Sequence, residues 1–253
     1  MGIDSVATGH YASVRQKEDG SFGLYCGKDE KKDQSYFLWK LTQRQLSRLI
    51  FPLAGRKKEE ILLLAEPYVS RSVKESMEIC FIPQGDTQTF LEQRGGKTPE
   101  GDFVDCRGRV LGRHRGIFRY TVGQRRGLGV AMGERYFVTR LLPETGRVEL
   151  GPEAELYTDR FPVEALRGLS GRLRDLPEEL LFRGRHRGKR IPCRLVRSGR
   201  SGTVYLSEPI RRIAPGQSAC FYLGEELVCG GVISEEKGPA EHEKRLCAKR
   251  RIL

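Results

Sequence analysis

Four short runs, "PCRLVR", "GTVYLSE", "SACFYLG" and "ELVCGGVIS", follow one another between Pro192 and Ser234 with only short connections between them. Each is too short for a stable helix and rich in β-branched or aromatic residues, and such spacing suits antiparallel strands curled into a small β-barrel. "APGQ" between the second and third runs is a type II turn, in which Pro215 fixes φ and Gly216 accepts a positive one. We therefore expect a carboxyl-terminal β-barrel over residues 154–234, followed by a charged tail over 235–253. The chain upstream differs. Over residues 84–153, glycines recur every few positions, helical stripes are few, and "ERYFVTRLLPETGRVELG" reads as a hairpin turning between Pro143 and Gly146. This is a small β-rich central domain.

Residues 1–83 read as α/β material. "DSVATGHYASV" is a β-branched stretch that meets Gly9 and His10. Thr42 followed by Gln45 forms a capping-box pattern, with Leu46, Leu49 and Ile50 as the helical stripe. "RKKEEILLLAEPY" is a second helix, ended by Pro67. The segment is too short for a complete doubly wound sheet. The expected fold is a multidomain α+β chain: part of an α/β domain, a β-rich centre, and a barrel.

Lys and Arg number 45 against 33 acids, a net charge of +12. Such an excess favours polyanionic partners and says nothing about fold. It is concentrated in "RGRHRGKRIPCRLVRSGR", residues 183–200, which has eight basic residues and no carboxylate. A run of that kind is often a solvated face. Ile191, Pro192, Cys193, Leu195 and Val196 interrupt it and argue for a folded strand, and a basic patch on a folded surface favours nucleic acid. No apolar run approaches a membrane span and no secretory signal is visible, so the expectation is a cytoplasmic protein without a membrane partner.

The seven cysteines and four histidines show no paired metal-ligand spacing, which predicts reduced thiols and no tightly bound metal. In "KESMEICFIPQGD", Cys80 lies where an apolar strand ends before Pro83 and Gly85. On that stretch alone it reads as a buried inert thiol. Its place at a strand end keeps a reactive role open.

The motifs "ATGHYA", "KDQSYFL", "KESMEICFI", "GRHRGIFRYTVGQRRGLG" and "APGQSACFYLGEELVCGGVI" occur in this order between about residues 3 and 234. Together they resemble the tRNA-specific 2-thiouridylase family. The resemblance implies that the first segment derives from an ATP-pyrophosphatase domain of the adenine nucleotide alpha hydrolase type. It implies ATP-dependent activation, with Mg2+, of the C2 oxygen of the wobble uridine. Sulfur then arrives as a cysteine persulfide, relayed from a cysteine desulfurase or sulfur carrier protein. By motif position Cys80 matches the persulfide carrier, and Gly9 an ATP contact. His10, Lys32, Asp33, Gln34, Arg185, His186 and Gln217 match contacts to tRNA. The family usually has Arg-Tyr at 185–186, so His186 departs from the pattern.

A larger departure is the missing "SGGVDS" loop, which would hold the ATP pyrophosphate on backbone N–H groups. The second catalytic cysteine of the family is missing too. The expectation is thus a truncated or split form that is inactive alone, with a separate amino-terminal ATP-loop chain as a partner of the split form. The alternative is a non-catalytic tRNA-binding module derived from the enzyme. Without the resemblance, Gly9 reads as a tight-turn glycine, His10 as a satisfied loop histidine and Lys32-Asp33-Gln34 as a solvated loop, while "YTVGQRRGLG" is served equally by structural turns or by an RNA contact.

Overall fold

In a computed structural model that describes residues 2, 4–68, 90, 99–130, 135–169 and 173–235, the chain forms two compact units. The first comprises the described parts of 1–72, 159–209 and 213–236, the second those of 73–158 with 210–212. The chain opens with β1 (Val6–Ala7), then a hairpin of β2 (Ala12–Gln16) and β3 (Phe22–Cys26). Asp19 and Gly20 turn this hairpin: Gly20 takes φ +78°, and the Asp19 carboxylate accepts from the Ser21 amide at 3.0 Å. A single 3-10 turn over Ser35–Leu38 leads into α1 (Gln43–Leu46). The expected capping box is present, with Thr42 Oγ accepting from the Gln45 amide and the Gln45 side chain accepting from the Thr42 amide.

The strand β4 (Leu49–Ile50) pairs with β1 in parallel, the one α/β-type ladder of this unit among the described residues. The helix α2 (Lys58–Ala65) carries Glu59 and Glu60 in its first turn, where the helix dipole favours acids, and ends two residues before Pro67.

The second unit holds β5 (Gly101–Val104), β6 (Val110–His114), β7 (Tyr136–Leu142) and β8 (Arg147–Pro152) in the order β6-β5-β8-β7. The β7–β8 hairpin turns over Pro143–Gly146 as its sequence predicts, Gly146 taking φ +65°. Phe103, Ile117, Val138, Val148 and Leu150 form its core.

Six further strands close on themselves: β9 (Tyr157–Gly168), β10 (Glu179–Arg183), β11 (Ile191–Ser198), β12 (Ser201–Arg211), β13 (Ser218–Leu223) and β14 (Glu226–Ile233). They run in the order β13-β10-β11-β12-β9-β14, and the β13–β14 pairing completes the ring. Closure removes the exposed edges that an open sheet would leave. Cys220 and Cys229 are both fully buried but on opposite faces of the sheet: Cys229 pairs with Phe221, while Cys220 packs with Leu24, Tyr36 and Trp39, so β13 and β14 are covered on both sides. The turn before β13 also forms as expected, Gly216 at φ +87° and the Gln217 amide donating to Ala214 O.

One strand of the barrel has a third neighbour. The start of β14 pairs with β3 through Glu226–Tyr25 and Leu227–Leu24, while its later residues pair with β9. The amino-terminal hairpin thereby extends the barrel sheet. Leu24, Tyr36, Trp39 and Leu46 share a core with Leu169, Tyr222 and Leu227.

Candidate nucleic-acid interface

Asp33 organises the segment between β3 and the 3-10 turn. It is buried, and its carboxylate accepts from the amides of Gly27 at 3.1 Å and Ser35 at 3.2 Å and from the Ser35 hydroxyl at 3.0 Å. It also pairs with the buried guanidinium of Arg183 at the end of β10. Burial by itself would lower the Arg183 pKa, but the bond to Asp33 and the neighbouring Tyr222 outweigh it and the pKa is raised. The Ser35 hydroxyl continues the network to the Tyr222 hydroxyl at 3.1 Å. A carboxylate so enclosed has no surface to offer a ligand. Asp33 therefore differs from its neighbours Lys32 and Gln34, which are partly exposed. By motif position Asp33 matched a contact to tRNA; its side chain is taken up by this internal network.

Residues 183–200 are not one strand, as the sequence suggested. They end β10, turn over 184–190, form the whole of β11 and turn again before β12. Arg185 and His186 stand in the turn. Arg183 fixes that turn as well, since its Nε donates to Gly188 O at 2.9 Å while Nη1 holds Asp33. The Gly188 amide donates to Arg185 O at 3.0 Å. One guanidinium thus joins the Lys32–Gln34 segment to the turn bearing Arg185 and His186.

The 3-10 turn supplies the rest. The Tyr36 hydroxyl lies 3.2 Å from Gly184 O and 3.1 Å from Ser218 O, and Trp39 Nε1 donates to Ser218 Oγ at 3.0 Å. Phe37, between them, is 55% exposed and its ring packs on His186 with centroids 4.7 Å apart. Burial, then Arg187 and Arg183, push the His186 pKa down, so its ring is neutral at pH 7. Gln217 is exposed beside Ser218. Lys32, Gln34, Arg185, His186 and Gln217 accordingly belong to one compact unit, with cations and donors on an aromatic base. Sequence reasoning missed Arg183 as the tie and Phe37 as the exposed ring. The only advance signal for Phe37 was its place beside Tyr36 in "SYFL".

Gly9 and His10 follow β1. Gly9 is exposed, its φ is not positive, and an added Cβ would meet only Leu53 at 3.8 Å, so nothing within the chain demands glycine there. Its open backbone at the carboxyl end of a parallel strand is the kind of place where α/β folds bind nucleotides. His10 Nδ1 pairs with the Thr8 hydroxyl at 2.8 Å and its ring meets Phe51 edge-on. Cys80 and the tail over 236–253 lie outside the described residues.

The four free thiols among the described residues are poor nucleophiles. Burial raises the pKa of Cys193 and Cys229 to about 12 and that of Cys220 well above its usual range. Burial and the Asp33 charge raise Cys26 despite Arg190 nearby. Among the described residues no cluster of three or more His, Cys, Asp or Glu could hold a metal, and no helix is long and apolar enough to cross a membrane. An open groove of about 620 Å³ between Leu181, Cys193, Tyr205 and Leu223 contains none of the residues implied by motif position.

Three family models match consecutive stretches of the chain: the tRNA methyl transferase HUP domain over residues 1–84, the tRNA methyl transferase PRC-barrel domain over 88–152, and the Aminomethyltransferase beta-barrel domain over 158–233. The chain is similar to the tRNA-specific 2-thiouridylase MnmA of Carboxydothermus hydrogenoformans, at 43% identity over 93% of this chain and 66% of the relative. With the enzyme of that name from Chlorobium chlorochromatii, identity is 40% over 93% of this chain and 67% of the relative. With that from Desulforudis audaxviator it is 42%, over 92% and 69%. The chain spans about two thirds of the length of these relatives.

Proposed function

We propose that this chain, which belongs to the tRNA-specific 2-thiouridylase family, binds tRNA through its barrel unit and serves the replacement of the wobble uridine C2 oxygen by sulfur. The observation that carries the reading is the convergence of Lys32, Gln34, Arg185, His186 and Gln217 within one compact unit, two of their segments joined by the Asp33–Arg183 pair. Arg185 presents a planar donor fork to phosphate, and Lys32 and Gln34 present donors to phosphate or base edges. His10 meets the tRNA from the end of β1.

In the proposed reaction the C2 oxygen displaces pyrophosphate from ATP, with Mg2+ balancing the phosphate charge, and becomes a leaving group. Gly9 lets the nucleotide approach the backbone. A cysteine desulfurase or sulfur carrier protein hands its terminal persulfide sulfur to the Cys80 thiolate and leaves as a thiol. That sulfur then attacks C2 as AMP departs, and a second cysteine, which the separate amino-terminal chain would supply together with the ATP loop, takes Cys80 into a disulfide, releasing the thiolated uridine. The compartment is the cytoplasm, where tRNA and the sulfur relay meet.

A second reading, a tRNA-binding module without catalysis, is favoured by one fact: the groups brought together among the described residues are binding groups, with no activated nucleophile beside them. Labelled sulfur separates the two. With a cysteine desulfurase and labelled cysteine, the wild-type chain takes up sulfur and Cys80→Ser does not. Equal labelling of the two proteins overturns the Cys80 assignment. No labelling of either, with tRNA binding intact, selects the binding module.

A further inference from the structure

Phe37 is placed where burial does not account for it. Its neighbours Tyr36 and Trp39 are 6% and 4% exposed, whereas Phe37 is 55% exposed. Tyr36 is anchored by carbonyls on β13 and on the β10–β11 turn, and Trp39 by Ser218 and by Gly230, where a Cβ would meet the indole at 2.5 Å. The 3-10 turn is therefore pinned on both sides of Phe37, and its ring rests against those of His186 and Tyr36. His186 packs on it with planes tilted by 38°, and Tyr36 meets it edge-on at 5.4 Å. With one side backed in this way, about half of the ring is left to solvent.

The surroundings are cationic. Arg185, Arg187 and Lys189 are exposed on the turn that carries His186, and Lys40 is exposed three residues beyond Phe37. A rigid exposed aromatic face with a basic rim is how proteins hold single-stranded nucleic acid: the ring stacks on a base while the rim follows the phosphates. A base inside a duplex hides both its faces between neighbours and cannot use such a site.

We propose that Phe37, backed by His186, is a stacking platform for one unpaired base of the bound RNA, with the flanking phosphates held by Arg185 and Arg187. The platform rests on the tRNA-binding reading and adds a contact that reads whether a base is unpaired. Every base has a π-face, so the platform adds affinity without choosing a sequence. Choice among bases falls to groups that meet base edges, such as Gln34.

Stacking and phosphate contact differ in their response to salt. Losing a phosphate contact lowers the salt slope of binding by roughly 0.7 to 0.9, whereas losing a stack does not, because no counterion is released. The test measures affinity against salt for unmodified tRNA and for a fully paired RNA duplex. The proteins are the wild type, Phe37→Ala, Phe37→Leu, Phe37→Trp and Arg185→Ala. Phe37→Leu keeps the apolar contact with Tyr36 and His186 but has no π-face, so it carries the test if the alanine variant fails to fold. Both are expected to lose about 5- to 150-fold for tRNA with an unchanged slope and unchanged duplex affinity. Phe37→Trp should bind tRNA at least as well as the wild type, and Arg185→Ala should flatten the slope for both RNAs. Wild-type affinity for tRNA in Phe37→Leu, or an equal loss for the duplex, overturns the platform. Failure of the wild type to bind tRNA at all overturns the functional reading beneath it.

Discussion

Asp33 and Arg183 lie 150 positions apart in sequence and meet as a buried ion pair. Their side chains retain 3% and 8% of their exposure, so neither charge has bulk water as a substitute partner. Taking two charges out of water costs several kcal/mol for each, and the pair regains this only through good geometry and satisfied hydrogen bonds. Asp33 has both, in the Gly27 and Ser35 donors. Removing one partner leaves the other charge unpaired. Asp33→Ala is therefore expected to destabilise the chain by about 3–5 kcal/mol in urea unfolding. Arg183→Met added to it should restore part of the loss, since the stranded cation goes too. A cost below about 1 kcal/mol for Asp33→Ala would show that the pair does not hold the two segments together. The tripeptide thus divides its work: Asp33 is buried, whereas Lys32 and Gln34 stay partly exposed, Gln34 with its Oε1 held by the Tyr11 amide at 3.1 Å.

At the scale of elements, the histidine at the end of β6 links two turns. His114 is buried, and Nε2 donates to Gly146 O in the β7–β8 turn at 3.0 Å. Its Nδ1 accepts from the Gly116 amide at 3.1 Å. Phe103 and Tyr120 pack edge-on against the ring. Both nitrogens are used by the neutral tautomer, and protonating Nδ1 would set a donor against the Gly116 N–H. Burial lowers the His114 pKa below its usual 6.5, only partly opposed by the Gly146 bond and by Asp102.

Below 6.5 the unfolded chain takes up a proton that the folded chain refuses, so stability falls as pH drops through that value and levels off below the folded pKa. We expect the melting temperature to decline from pH 7 into the acid range, and His114→Gln to decline less steeply while being less stable at pH 7. Parallel profiles for the two proteins would remove His114 as the cause. Asp105 adds a second acid-sensitive contact. Burial would raise its carboxyl, but the Arg109 side chain and the amides of Arg107 and Arg109 outweigh that and lower it.

At the scale of the whole molecule, the barrel unit is not continuous in sequence. The β2–β3 hairpin and the 3-10 turn precede the rest of the barrel by more than a hundred residues, yet they extend its sheet and share a core with it. Leu24, Tyr36, Trp39 and Leu46 come from the amino-terminal segment, and each fully buried large apolar side chain is worth about 1.5–3 kcal/mol. Their sum approaches the whole stability of an ordinary domain, about 5–15 kcal/mol. A fragment of residues 157–235, all six barrel strands, is therefore expected to bind a hydrophobic dye and to melt without cooperativity. Adding residues 1–68 on a second chain should restore a cooperative transition. A cooperative melt by the fragment alone, at the temperature of the full chain, would show that the barrel needs no amino-terminal contribution.

Local chemistry was legible in the sequence because it depends on neighbours in the chain. The Thr42–Gln45 capping box, the Pro215–Gly216 turn and the β7–β8 hairpin all follow from spacings of a few residues. The strands β2, β3, β9 and β10 were less legible, because they carry charged or glycine residues whose cost is met by partners distant in sequence. The motifs marked which segments matter without saying how each residue serves. Tertiary structure alone decided that Asp33 turns inward to Arg183, that the basic run bends into a turn at Arg185 and His186, and that Phe37 stays exposed. Burial and pairing across 150 residues are properties of the closed barrel, and no local pattern encodes which of two adjacent polar residues will face a distant arginine.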